Sequence, residues 1–196
     1  MVYSKKPPLP REFYERDPED VAKELLGKIL VHHTTYGTLK GKIVETEAYF
    51  SKNDPACHFY SKKAAKIFLR DHKAGTAYIY LSYGIHWLFN IITRGRDKEG
   101  AVLIRAVEPL EGIELMQIHR RAKDPKNLTS GPGKLTEAFK IIGEHHGIDL
   151  TQGTLYVADG RECSNIGRTP RIGISKGKDK LLRFYIKGND FLSKTP

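Results

Sequence analysis

Apolar and polar positions change period repeatedly along the chain, and each change marks an element. Asp17-Pro18-Glu19-Asp20 has the make-up of a helix start: a capping aspartate, a proline suited to the first turn, and acids at the positive end. The helix is expected to run through Val21–Leu26 and to stop at Gly27. Lys28–His33 then reads as a strand, Thr35–Thr38 as a hairpin turn and Gly41–Phe50 as the returning strand. Residues 51–60 read as a loop carrying Asp54-Pro55, and Ser61–Arg70 as a short basic helix. Strands are expected at Thr76–Ser82, Ile85–Thr93 and Ala101–Val107, and helices at Leu110–Arg121 and Lys134–Ile142, the second after Ser130-Gly131-Pro132-Gly133. Short strands are expected at Leu155–Ala158, Arg171–Ser175 and Leu182–Lys187. Residues 1–16 read as an extended arm, and residues 17–196 as one α+β domain around a twisted, largely antiparallel sheet with flanking helices.

Composition narrows the class without naming it. The 196 residues are enough for a single domain with a substantial core. Neither a secretory leader nor a membrane-spanning helix is expected, because the first ten residues hold no apolar stretch and no run approaches ~18 apolar residues. Two cysteines, Cys57 and Cys163, with no CxxC pair argue against a disulfide scaffold and for a reducing compartment, the cytoplasm by default. The 33 lysines and arginines exceed the 23 aspartates and glutamates by 10, an excess that favours polyanionic partners, nucleic acid first. A merely solvated basic surface has the same composition.

Candidate chemistry concentrates in two segments. In Gly41-Lys42-Ile43-Val44-Glu45-Thr46-Glu47-Ala48-Tyr49-Phe50, strand alternation puts Glu45, Glu47 and Tyr49 on one face. Two neighbouring carboxylates repel, and burial would raise the pKa of at least one, as suits a general base or acid. An acidic strand face paired with lysines has the same pattern. The segment Thr76–Asn90 holds Tyr78, Tyr80, Tyr83, His86 and Trp87; such rings suit base stacking as well as core packing. The cysteines and the histidine pairs, His32-His33 and His145-His146, have no recognised metal spacing, so neither metal nor cofactor is expected.

Six motifs in order carry a resemblance: Val44-Glu45-Thr46-Glu47-Ala48-Tyr49, His58, the stretch from Tyr78-Ile79-Tyr80-Leu81-Ser82-Tyr83-Gly84 through Asn90, Val102–Gly112, Ser130–Leu135 and Leu182–Gly188. Together they resemble the alkyladenine (3-methyladenine) DNA glycosylase family over nearly the whole chain. The resemblance implies a monofunctional enzyme that flips alkylated purines (3-methyladenine, 7-methylguanine), with hypoxanthine or ethenoadenine as further substrates, out of duplex DNA and hydrolyses the N-glycosidic bond. It implies Glu47 as the general base and Arg105 as the cation holding the nucleophilic water. It places Tyr49 and Tyr80 against the two faces of the base, His58 at its edge, Asn90 where guanine carries its exocyclic amine, and Tyr83 as the wedge in the vacated stack. It further implies duplex DNA as partner, a monomer with no obligate protein partner, and a site of action at the nucleoid or in the nucleus. A non-catalytic sensor of bent or damaged DNA, or a hydrolase of free nucleosides, would share much of this pattern.

Overall fold

The computed structural model describes residues 6–195. Its centre is β2 (Gly37–Phe50), a strand of 14 residues that touches three neighbours. β1 (Ile29–Thr34) joins β2 through a two-residue turn, Thr34 pairing with Gly37. β5 (Glu99–Glu111) runs along the other edge of β2. β3 (Ala77–Ser82) and β4 (His86–Arg94) extend the sheet beyond β5, and β6 (Leu155–Ala158) extends it beyond β1. Where β1 leaves β2, β8 (Arg183–Ile186) takes its place against Glu45–Glu47, and β7 (Ile166–Thr169) pairs with β8. Every pairing between these strands is antiparallel, in one α+β domain as expected.

The helices close the faces. α1 (Arg11–Tyr14) and α2 (Pro18–Glu24) precede β1. Asp17 caps α2 by accepting the Glu19 N–H at 2.9 Å, and Pro18 opens it. Gly27 then turns at φ 86°, where a Cβ would run into the Arg161 carbonyl. α3 (His58–Ser61) and α4 (Lys63–Asp71) follow β2, and α5 (Ile113–Arg120) and α6 (Pro132–Phe139) follow β5. Leu30, Leu39, Ile43, Phe89, Ile91, Ile104, Phe139 and Phe184 are among the main core residues, and a smaller cluster of Cys57, Phe59, Leu69, Tyr78 and Ile92 lies under α3 and α4.

Three sequence expectations need revision. The first five residues of the expected arm lie outside the described residues, but the rest is anchored: Tyr14 is buried in α1, and Leu9 donates to the Val157 carbonyl at 2.7 Å. The helix expected from Leu110 starts at Ile113, because β5 continues to Glu111 and Gly112 turns the chain at φ 76°. The strand expected at Arg171–Ser175 is irregular, and the strand lies at Ile166–Thr169 instead. Arg171 and Ile172 spend their hydrogen bonds on Asp54 and Glu47 rather than on a neighbouring strand.

The register of β2 against β5 contains the feature that builds the site. Ile43 faces Val107, Glu45 faces Ala106 and Thr46 faces Ile104, so Val44 and Arg105 are each an extra, unpaired residue. Such paired bulges bend both strands and re-aim side chains.

Candidate active site

The bulges turn Arg105 onto both glutamates of β2. Its Nε donates to Glu45 Oε1 at 2.8 Å, its Nη1 sits 3.3 Å from Glu47 Oε1, and its Nη2 donates to Ser193 Oγ at 3.1 Å. The opposite face of β2 is held against α2, where Thr46 donates to the Ala22 carbonyl at 2.7 Å. Glu45 and Glu47 are therefore on the cleft side together, as strand alternation requires, and both are fully buried.

Their surroundings separate their capacities. Glu45 accepts from Arg105 Nε, Arg183 Nε at 2.7 Å, Ser193 Oγ at 2.7 Å and Ser193 N at 2.6 Å. Three of these donors share Oε1 and the fourth is on Oε2, so the carboxylate carries four bonds from two guanidiniums and Ser193. Burial pushes the Glu45 carboxyl up, but the Arg105 charge and the bonds from Arg183 and Ser193 outweigh it and hold it below the usual range. The upward shift expected of the crowded pair is thus reversed at Glu45 by two guanidiniums. Glu47 has fewer donors: Ile172 N at 2.7 Å on Oε1, Tyr49 Oη at 2.8 Å on Oε2, and the longer contact with Arg105. Among the described residues Glu47 thus accepts two hydrogen bonds where Glu45 accepts four.

Glu47 is fully buried behind a cleft whose lining includes its own partners. Tyr49, Arg105 and Ile172 line a cavity of about 680 Å³ together with His58, Tyr80, Tyr83, His86, Leu103, Arg120, Gly131–Lys134 and Gly173–Ser175. Tyr80 and His58 pack on one another at 4.3 Å between ring centres. Burial, with the Lys62 charge adding, pushes His58 down to about 4, so its imidazole is neutral near pH 7. Its Nδ1 is 3.1 Å from the Tyr78 hydroxyl. Burial and the negative charge of Glu47 raise the Tyr49 phenol well above its ordinary value, keeping its proton on the bond to Glu47.

Two of the singled-out residues stand apart. Asn90 lines a small adjoining cavity of about 30 Å³ beneath Tyr49, His58 and Tyr80, and its amide nitrogen donates to the Tyr78 and Leu88 carbonyls at 3.1 and 3.4 Å. Tyr83 is at the rim, 89% exposed, at φ 51° with Gly84 following at φ 72°. The Ile85 N–H closes this turn onto the Ser82 carbonyl at 3.1 Å. Two successive left-handed residues make a tight hairpin turn that glycine enters freely and tyrosine does not, so the phenol is presented outward at some conformational cost.

Sequence reasoning missed Ile172, whose backbone N–H is bound to Glu47, and Ser193, which bonds both Glu45 and Arg105. Buried charge balances locally: Glu45, Glu47 and Asp54 against Arg105, Arg171 and Arg183, each with a side chain no more than 7% exposed. Much of the cationic excess is then left for the surface, including Lys62, Lys63, Lys66, Lys176 and Lys178. Among the described residues no group of three or more His, Cys, Asp or Glu side chains is placed to hold a metal ion, and no helix is long and apolar enough to cross a membrane.

The sequence model described as methylpurine-DNA glycosylase (MPG) matches residues 12–190. The chain belongs to the methylpurine-DNA glycosylase family. Its relatives include a Salinibacter ruber protein, 44% identical over 205 residues, with 95% of this chain and 96% of that protein covered. A Prosthecochloris aestuarii protein is 46% identical, covering 94% and 90%. One from Carboxydothermus hydrogenoformans is 46% identical, covering 95% and 98%. Each of the three carries the name "Putative 3-methyladenine DNA glycosylase".

Proposed function

We propose that the protein is a monofunctional DNA glycosylase that flips alkylated purines out of duplex DNA and hydrolyses their N-glycosidic bond, with Glu47 activating the water. The observation that carries this reading is that Glu47 accepts only two hydrogen bonds among the described residues, both from residues that line an aromatic-walled cleft, Tyr49 and Ile172, while its neighbour Glu45 is held by four.

In a duplex the target bond is sealed within the stack, so the nucleotide must rotate out at a cost of a few kcal/mol. Tyr83, pushed outward by its turn, fills the vacated position, and surface cations hold the flanking phosphates. The extruded purine enters between Tyr49 on one side and the Tyr80–His58 pair on the other. Purines alkylated at N3 or N7 are cationic, and phenol faces attract a desolvated cation by roughly 0.5–2 kcal/mol. With the Tyr78 hydroxyl donating to Nδ1, neutral His58 keeps its proton on Nε2 as a donor to the base edge. Asn90, in the small cavity below, limits the space for an exocyclic group.

A cationic base leaves readily, so the protein must supply a nucleophile and stabilise the sugar cation. Glu47 does both: its carboxylate, the less heavily bonded of the two, takes a water proton and its charge faces the developing oxocarbenium. Arg105, fixed at three points, orients the water and sets its positive charge beside Glu47. Attack from the face opposite the leaving base gives inversion and an abasic site, as in glycoside hydrolysis assisted by a single base. Neutral lesions such as hypoxanthine or ethenoadenine require protonation of the base as well.

The test is a mass-spectrometric inventory of free bases released from methylated, deaminated and ethenoadenine-containing duplexes. Release of methylated purines with intact sugar–phosphate strands is expected. Tight lesion binding without release would replace the enzyme with a damage sensor, and activity on free nucleosides without need of a duplex would make it a nucleoside hydrolase.

A further inference from the structure

Behind the cleft wall lies a buried cation that the hydrolysis above does not use. The Arg171 side chain is fully buried and pairs with Asp54 through two bonds of 2.6 Å, Nη1 to Oδ2 and Nη2 to Oδ1. Nη1 also donates to the Ala48 carbonyl at 3.0 Å, and Asp54 Oδ2 accepts the Phe50 N–H at 3.0 Å, so the pair is tied to the backbone on both sides of Tyr49. The guanidinium carbon lies 4.5 Å from the centre of the Tyr49 ring. Tyr49 lines the cleft and Arg171 does not, and the guanidinium takes up one face of the ring.

We infer that Arg171 sets the base preference of the slot by offsetting the attraction of Tyr49 for a cationic purine, so that neutral purines compete for the same wall. The inference rests on the reading of the cleft as a base slot. An aromatic face attracts a cation through the negative charge above its plane. A guanidinium on the far face draws on the same π-electrons. It also stands about 8 Å from a base stacked at ~3.5 Å on the near face, within reach of Coulomb repulsion in a poorly solvated wall. Asp54 returns part of that repulsion because it holds the guanidinium on its outer edge. Arg171 with Asp54 is therefore a trimmed positive charge behind Tyr49. It leaves a stacking surface whose affinity depends more on shape and less on base charge.

Two variants move the preference in opposite directions. Replacing both partners, Arg171→Met with Asp54→Leu, removes the charge behind the ring and keeps similar volume. Asp54→Asn leaves Arg171 with less compensation and makes the wall more repulsive to a cation. The measurement is single-turnover base release from duplexes carrying cationic 7-methylguanine and neutral ethenoadenine, expressed as the ratio of the two rates. The same ratio is read from binding of the two duplexes in a Glu47→Gln background, so slow chemistry on either lesion does not hide it. The double variant is expected to raise the cationic-to-neutral ratio roughly threefold to tenfold, the scale of one cation–π contact, and Asp54→Asn to lower it. If one variant does not fold, the sign given by the other decides. Equal losses on both lesions, with an unchanged ratio, would overturn the inference and leave Arg171 as a clamp that presents the Ile172 N–H to Glu47. Wild-type protein that binds neither lesion in preference to undamaged duplex would instead overturn the reading of the cleft, and the inference with it.

Discussion

Glu45→Gln separates the carboxylate that holds the site together from the one proposed to react. The wild-type side chain accepts four bonds and faces two buried guanidiniums, Arg105 and Arg183. A glutamine keeps one oxygen acceptor, points an amide donor at existing donors, and removes the charge that both cations share. Breaking a buried pair by deleting one partner costs about 3–5 kcal/mol; the retained oxygen argues for the lower end, about 3. For a chain of this size each kcal/mol moves the melting point by about 2–4 °C, so a fall of roughly 6–12 °C at pH 7 is expected in thermal unfolding followed by circular dichroism. The acid limb changes as well. The folded pKa of Glu45 lies below its ordinary 4.5, so its contribution to stability is present above that value and is lost as pH falls through the folded pKa. The variant should lose that part of the acid dependence. At a temperature where the variant is folded, base release should slow yet survive, since Glu47 remains. A melting point within about 2 °C of wild type would show that the Glu45 network does not hold these strands and cations together.

Other outcomes follow from particular residues. Tyr83→Gly relieves a left-handed tyrosine and should leave the melting point unchanged or slightly higher, while lesion release from duplex falls about tenfold, equivalent to ~1.4 kcal/mol of lost wedge support, and release from single strands falls less; equal losses on both would remove the wedge role. An NMR titration should find the His58 imidazole with a midpoint near 4, and Lys62→Glu should raise it; a wild-type midpoint above 6 would contradict the neutral donor. Ser193→Ala strips one donor from Glu45 and one acceptor from Arg105, so base release should slow with binding little changed, measured as single-turnover rate against duplex affinity; weaker binding at an unchanged rate would place Ser193 on the DNA surface. Affinity for undamaged duplex should fall steeply with salt, roughly a thousandfold between 50 and 200 mM if six phosphates are held, and a flat response in fluorescence anisotropy would argue against a phosphate-binding surface.

Local chemistry made part of this fold readable in advance. Asp17, Pro18 and Gly27 mark the ends of α2 by capping and turn rules that need no tertiary information. Alternation in β2 placed Glu45, Glu47 and Tyr49 on one side, which both contacts with Arg105 bear out. Alternation says nothing of the paired bulges at Val44 and Arg105, because a bulge is a property of two strands, and so the sequence pattern could not say which glutamate collects more donors. Ile172 acts through its backbone N–H, which no side-chain pattern encodes, and the run Arg171-Ile172-Gly173-Ile174 imitates a strand. Ser193 is one of many serines; only the fold brings it 148 positions back to Glu45. The arginine behind Tyr49 likewise has no local signal, since its partner Asp54 is 117 positions away.

The most direct measurement is a single-turnover assay of Glu47→Gln on a duplex with one methylated purine, run beside a binding assay on the same duplex. The glutamine keeps the acceptor for Ile172 and fills the same volume, so affinity for the lesion should change only a few-fold, while release of the base should fall by at least about a hundredfold, as expected for loss of a general base. A folded Glu47→Gln protein that frees the base at the wild-type rate would show that the water is activated elsewhere.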